Sequence, residues 1–111
     1  MARSQKLAAE VALYGNGPTG VGSGWLARLA DGTILGDGEP KAGRTFTDAV
    51  WLACEAVRQA GVTGGRVRVF AAGGRLMADT DLNNPGYFGN LNWRAATAYV
   101  VSADDILVAA S

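Results

Sequence analysis

The amino-acid sequence predicts an α/β fold, with a single domain in which a mixed β-sheet packs against one principal helix. The chain has 111 residues, of which 49% are hydrophobic, which suits one domain with a thin core. Residues 47–60 carry apolar side chains at helical spacing, whereas the apolar segments on either side have strand lengths. A helix between two strands carries the chain to a parallel strand, so the predicted sheet is mixed. No repeat or linker divides residues 1–111.

The elements predicted before the helix are strands. We place the first strand over residues 9–15, because the glycine-rich run that follows suits neither a helix nor a strand interior. A short helix capped by Ser4 is the alternative for this segment. Two apolar runs within residues 25–38 are then joined by Asp31-Gly32, a turn that favours positive φ at both positions. This pattern predicts a β-hairpin.

The helix is predicted over residues 47–60. Thr45 or Thr47 supplies the capping oxygen, and Asp48 lies in the first turn, where the helix dipole favours an anion. Gly61 follows the last turn as a C′ residue. The residues that fall at i, i+3, i+4 and i+7 form an apolar stripe that must face the sheet; they are Val50, Ala53, Cys54 and Val57.

Beyond the helix, the sequence predicts two further strands. Two valines alternate with two arginines in residues 66–70, which places the valines on one face and the arginines on the other. Residues 78–90 are a polar loop that contains aromatic side chains, and the apolar block 95–101 favours a final strand. The sequence leaves open whether residues 76–111 also contain a second helix.

Composition excludes several chemistries. The absence of histidine excludes Ser-His-Asp catalysis, Cys-His catalysis and histidine-ligated zinc. Ten Lys plus Arg balance ten Asp plus Glu, so net charge does not direct the chain toward nucleic acid or an anionic membrane. Cys54 is the single cysteine, and its place on the apolar stripe gives it no chemistry. We expect a cytoplasmic protein, since the sequence has one unpaired thiol and no signal-peptide or membrane-spanning run.

The order of the predicted elements is strand, glycine-rich turn, hairpin, helix and strand, and it resembles the ribonuclease H-like fold over about residues 9–75. Three segments are similar to that family at the residue level. They are 13–17 at the end of the first strand, 45–57 at the start of the first helix and 67–73 in the fourth strand. The chain after Ala72 is too short for the family's complete second half.

The resemblance implies a two-metal nuclease site built from carboxylates, because anionic oxygens are needed to hold two divalent cations close together. The matching positions lack those carboxylates. They hold Asn16, Ala49, Ala72 and, in the late Asn-x-Arg-Ala-Asp motif, Ala96. An alternative alignment of that motif places Asp104 at its acidic position. We therefore expect a catalytically degenerate, truncated pseudoenzyme that has no metal or other cofactor and binds instead of cutting.

The predicted partner is nucleic acid or another protein, without a membrane. Arginine forks suit phosphates, and a neighbouring indole can stack on a base. The candidate binding residues are Asn16, Gly17, Arg66, Arg68, Arg75, Trp93 and Arg94. Trp51 lies on the polar side of the predicted helix, where it is either covered by the chain's own loop around 87–88 or is an interface residue. Self-association is a further possibility for Trp51.

Two other hypotheses remain open. One is a metal-dependent nuclease or phosphohydrolase with displaced carboxylates, which are Asp48, Asp79, Asp81 and Asp104. The other is a structural or assembly subunit, for instance of a viral particle. Residues 79–83 have the spacing of a calcium loop but lack its glycine and its bidentate glutamate, so we expect an Asx turn there instead.

Overall fold

The computed structural model describes residues 7–17, 23–89 and 93–102. These residues form a seven-stranded sheet and one helix. In chain order the elements are β1 (Leu7–Gly17), β2 (Gly24–Leu29), β3 (Ile34–Leu35), β4 (Lys41–Ala42), α1 (Phe46–Gln59), β5 (Gly65–Ala71), β6 (Leu76–Asp81) and β7 (Trp93–Ser102).

The sheet order is β3-β2-β1-β7-β5-β6, with β4 pairing with the other half of β2. The predicted combination of a sheet and one principal helix is confirmed. The predicted mixed sheet is wrong for the described strands, because every pairing between them is antiparallel. The strand after the helix, β5, does run in the same direction as β1. It does not pair with β1, because β7 lies between the two and pairs with both.

The predicted hairpin forms between β2 and β3, but its turn differs from the expected one. The loop has three residues, 30–32, and is closed by a hydrogen bond from the Leu29 N–H to the Thr33 carbonyl. Gly32 has a φ of 93°, whereas Asp31 is not in the left-handed region. Asp31 accepts a hydrogen bond from the Thr33 N–H, and the hydrogen bonds from Thr33 lower the pKa of the Asp31 carboxyl. The turn is therefore a type I turn followed by a left-handed glycine.

A turn with the same hydrogen bonds joins β5 to β6. The Ala71 N–H donates to the Arg75 carbonyl, and Gly74, with a φ of 93°, occupies the left-handed position. Sequence analysis missed β6, because its acidic residues resemble a polar loop. The described part of 76–111 contains strands and loops but no helix.

Helix α1 begins and ends where the sequence predicts, within one residue. The Thr45 hydroxyl accepts a hydrogen bond from the Asp48 N–H and caps the first turn. At the other end, Gly61 has a φ of 114°, and its N–H donates to the Arg58 carbonyl while the Val62 N–H donates to the Val57 carbonyl. These two bonds are a Schellman motif. The predicted apolar stripe is buried, together with Phe46 and Ala49.

The core lies between α1 and one face of the sheet. The strands contribute alternate residues to it, as expected when one face of a sheet is covered; these include Val11, Leu13, Val67, Val69, Ala98 and Val100. In the ranges 7–17, 23–89 and 93–102, no helix is long and apolar enough to span a membrane.

The segment that leads into α1 approaches the helix closely at Gly43. A Cβ atom at this position would lie 2.9 Å from the Ala49 Cα and 3.0 Å from the Ala49 nitrogen. Because backbone atoms cannot move aside cheaply, we expect Gly43→Ala to lower the free energy of unfolding by about 1–3 kcal/mol in urea titrations. Gly73→Ala is the matched control, since nothing lies within 4 Å of its Cβ position. Equal stability of the two variants would contradict the close approach.

Cys54 provides a second test of the packing. Burial raises the pKa of its thiol to about 11, an effect that Arg58 partly offsets. A thiol whose folded pKa is raised contributes stability that is full below the unfolded value, about 8.5, and is lost as pH rises through the folded value. We expect the free energy of unfolding to fall between these two pH values by about 3 kcal/mol more in the wild type than in Cys54→Ala. Parallel curves for the two proteins would show that the thiol is not buried.

Candidate functional site

The side of the sheet that faces away from α1 carries a different set of side chains, and we call it the open face. Strand β5 shows the division clearly, because Val67 and Val69 are buried beneath the helix while the alternating residues point the other way. The side chains of Arg66 and Arg68 are 49% and 50% exposed. Both arginines therefore lie at the surface of the open face.

Strand pairing arranges the open face in rows that cross the sheet. Tyr99 of β7 lies opposite Glu10 of β1 on one side and Arg68 of β5 on the other. Across the five strands, this row contains Arg28, Glu10, Tyr99, Arg68 and Asp79. The next row contains Leu26, Ala12, Thr97, Phe70 and Leu76. A charged row thus lies beside an apolar row.

Two aromatic rings meet where these rows adjoin. The ring centroids of Phe70 and Tyr99 are 5.9 Å apart, with an interplanar angle of 57°. Both rings are partly exposed, and they line a groove of about 360 Å³ whose far side is the β5–β6 turn. The other residues that line it are Ala71, Ala72, Gly74 and Thr97. The groove is therefore floored by two rings and walled by small residues, which leaves room for a flat ligand.

Asp79 holds the two arginines of β5 in place. Its carboxylate lies 2.5 Å from the Nε of Arg66 and 3.6 Å from the Nε of Arg68. Because all three side chains are at least a third exposed, these ion pairs add little to stability. Arg68 lies beside Tyr99 at the border of the groove because the β5–β7 register pairs the two residues.

The charges of the open face balance. In the described strands, alternation and register place six charged residues there, three arginines and three acids; they are Arg28, Arg66, Arg68, Glu10, Asp79 and Asp81. Such a face does not attract anions over a long range. Recognition by this face must depend on contact between rings and on local donors.

The structure divides the predicted binding residues into two groups. Arg66 and Arg68 lie together on the open face. The other five lie at one end of the sheet, where β1 ends, the β5–β6 turn passes and β7 begins; they are Asn16, Gly17, Arg75, Trp93 and Arg94. Strand alternation places Arg94 on the same face of β7 as the buried Ala96, which is the face opposite to that of Arg66 and Arg68. The side chains of Asn16 and Trp93 lie outside the described residues.

Two of the positions matched to the ribonuclease H-like carboxylates lie in the hydrophobic core, and a third lies at the surface. Ala49 is buried on α1, Ala96 is buried in β7, and Ala72 is exposed in the β5–β6 turn. Asp48 is on the helix, whereas Asp79 lies on the opposite face of the sheet. Within the described ranges, no three Cys, Asp or Glu side chains are grouped as a metal site would require. Asp104 lies outside the described residues.

Asp81 forms the predicted Asx turn. Its Oδ1 accepts a hydrogen bond from the Asn83 N–H at 2.8 Å. The loop that follows is fastened to the helix side of the molecule, where the Arg58 guanidinium donates to the Leu82 carbonyl. Residues 82–89 are thereby held against α1.

Trp51 lies on α1 beside this loop, which covers it only in part. Its indole N–H donates to the Gly86 carbonyl, and the ring remains 45% exposed. Tyr87, in the same loop, is 79% exposed. The loop therefore orients the indole and leaves much of its surface open.

Sequence reasoning missed Phe70 and Tyr99. The strand alternation that places Arg66 and Arg68 on one face also places Phe70 there, so the position of Phe70 could have been predicted from the sequence. Tyr99 was not, because its position depends on the pairing of β5 with β7.

Comparison with known proteins assigns no relative. No family model, curated protein or solved structure matches this chain. Any functional assignment must therefore come from the side chains and their arrangement.

Proposed function

We propose that this protein is a non-catalytic binding module whose open face binds a short stretch of single-stranded nucleic acid. The observation that carries the proposal is the Phe70–Tyr99 pair, which floors a groove with Arg68 at its border. Exposed aromatic rings on a sheet are a platform on which unpaired bases stack. Such a platform holds about two or three bases.

The arginines supply the second part of the recognition. A guanidinium can donate two parallel hydrogen bonds to a phosphate, or it can stack on a base. Arg68 lies opposite Tyr99 and two residues from Phe70 along β5, so it is the arginine within reach of a strand that stacks on both rings, and Arg66 lies two residues further along β5. Arg66 donates a hydrogen bond to Asp79, and Arg68 forms a longer ion pair with it, so an arriving phosphate competes with this carboxylate. The balanced charges favour weak binding in which stacking is the larger contribution.

The ribonuclease H-like relationship is part of the same proposal. It is supported by the order of strands, helix and strand along the chain and by the common direction of β1 and β5. The position of β7 between those two strands is a departure from the expected order. A binding role without catalysis is supported by alanine at Ala49, Ala72 and Ala96, since a methyl group cannot coordinate a cation.

Removal of either ring tests the stacking platform. We expect Phe70→Ala and Tyr99→Ala each to weaken binding of fluorescently labelled oligo(dT) or oligo(rU) by about 5- to 100-fold in anisotropy titrations, because one stacked base is lost. Tyr99→Phe keeps the ring and should retain most of the affinity. Tyr87→Ala is the matched control, since it removes an exposed ring on the helix side. Equal affinities for Phe70→Ala and Tyr87→Ala, with both proteins folded by circular dichroism, would overturn the proposal.

Asp79 allows a test in the opposite direction. We expect Asp79→Asn to tighten oligonucleotide binding by about two- to fivefold, because it removes the anion that pairs with both guanidinium groups. Arg68→Gln should instead weaken binding and reduce the slope of log K against log salt by about 1. Asp37→Asn, in the exposed turn after β3, controls for net charge. If Asp79→Asn weakens binding or has the effect of Asp37→Asn, the arginines do not contact phosphate.

A further inference from the structure

The open face carries a further exposed aromatic side chain, Tyr14 of β1, outside the groove formed by Phe70 and Tyr99. Alternation along β1 buries Leu13 beneath the helix and turns Tyr14 to the opposite side, where it is 44% exposed. Tyr14 lines a separate groove of about 350 Å³, which we call the Tyr14 groove. Pro40 lines the same groove. The open face therefore has a second place where a flat ligand can meet an aromatic ring.

The cross-strand neighbours of Tyr14 are too small to cover its ring. Tyr14 lies opposite Gly24 of β2 on one side and Ala95 of β7 on the other. A Cβ atom at Gly24 would lie 2.8 Å from the Lys41 carbonyl oxygen, so the close pairing of β2 with β4 requires a glycine there. These neighbours leave the ring accessible from within the sheet surface.

The Tyr14 groove and the Phe70–Tyr99 groove lie on one continuous surface. Thr97, which lines the Phe70–Tyr99 groove, pairs with Phe70 on one side and with Ala12 on the other, and Tyr14 follows Ala12 by two residues. With the usual spacing of strands and residues in a sheet, the Cα atoms of Phe70 and Tyr14 are about 12 Å apart. The side chains of Thr97 and Ala12 are small, so an extended ligand can pass over them from one ring to the other.

The surface between the two grooves also lacks carboxylates. The acids that the described strands place on the open face are Glu10, Asp79 and Asp81. All three lie in the row of Tyr99 or in the row beyond it, on the side away from Tyr14. Among the described residues, the rows of Phe70 and Tyr14 contain no acid. A phosphate backbone that continues toward Tyr14 therefore meets no like charge in these rows.

We propose that Tyr14 is a third stacking position for the nucleic acid that the open face binds, so that one strand runs from Tyr99 and Phe70 across β7 and β1 to the Tyr14 groove. This inference rests on the proposed function. Successive nucleotides of a stacked strand advance by about 3.4 Å, so the base on Tyr14 is not adjacent to the base on Phe70 but lies further along the strand. The ligand is accordingly an oligonucleotide of at least about four nucleotides, not a free nucleotide or dinucleotide.

Oligonucleotide length separates Tyr14 from the other two rings. The probes are a thymidine trinucleotide, which is too short to contact all three rings, and a thymidine decanucleotide. Binding to the full chain is measured by NMR titration for the first and by fluorescence anisotropy for the second. We expect Tyr14→Ala to weaken decanucleotide binding by about 5- to 100-fold, because one stacked base is lost, and to change trinucleotide binding by less than about twofold. Phe70→Ala should weaken binding of both.

Three further variants serve as controls. Tyr14→Phe keeps the stacking surface and should retain most of the decanucleotide affinity. Tyr87→Ala removes an exposed ring on the helix side and should change neither affinity. Ala42→Glu places a carboxylate in the Tyr14 groove without removing a ring, and it should weaken decanucleotide binding by about fivefold at low salt. Ala42→Glu keeps the test valid if Tyr14→Ala disturbs β1.

The results distinguish this inference from the proposed function. If Tyr14→Ala and Ala42→Glu both bind the decanucleotide as the wild type does, while Phe70→Ala binds it more weakly, the third stacking position is wrong and the proposed function stands. An equal loss for the two oligonucleotides in both variants would also overturn the third position, because it indicates a general disturbance of the open face. If the wild type binds neither oligonucleotide, or if Phe70→Ala has no effect, the proposed function fails and the third position fails with it.

Discussion

The pairing of β7 with both β1 and β5 is the interaction on which the described structure depends. The first four strands form one antiparallel group and β5 with β6 form another, and β7 joins the two. Its alternate residues on one side, Ala96, Ala98 and Val100, complete the apolar surface beneath the helix. Its residues on the other side bring Tyr99 between Glu10 and Arg68. Without β7, neither the core nor the open face would be continuous.

Small side chains set the distance between the two layers. Alanine occupies many of the buried positions beneath and along the helix, including Ala9, Ala27, Ala49 and Ala53. Because a methyl group fills little space, α1 can lie close to the sheet. A few valines then fill the remaining volume of the core. One 14-residue helix covers one face of the sheet, whereas the opposite face has no helix over it in the described part of the chain and carries aromatic and charged side chains. The same thin core that limits stability therefore provides a broad surface for contacts.

Local signals in the sequence located the helix and the β2–β3 hairpin, but not β6. Thr45, Gly61 and the apolar stripe located the helix, and Asp31-Gly32 located the hairpin, although the expected turn type required Asp31 to be left-handed. Long-range pairing was not available from these signals. An apolar block such as 95–101 can join a sheet at several places, and the rule for a helical crossover does not anticipate a third strand between the two that it connects. The candidate site shows the same difference between local and long-range information. Strand alternation was enough to place Arg66 and Arg68 on one face, whereas placing Tyr99 beside Arg68 required the register of β7 with β5.

The outer edge of β2 is divided between two short partners, β3 and β4, which pair with its two halves. Between them the chain turns through Gly36, Asp37 and Gly38, all of which have positive φ. A long, flat strand edge offers unpaired backbone groups to any extended segment nearby, and that is how sheets grow into aggregates. Here the exposed margin is interrupted by this single left-handed turn between two short strands. The protein therefore protects this side of its sheet against fibril-like stacking through chain geometry, without a dedicated capping element.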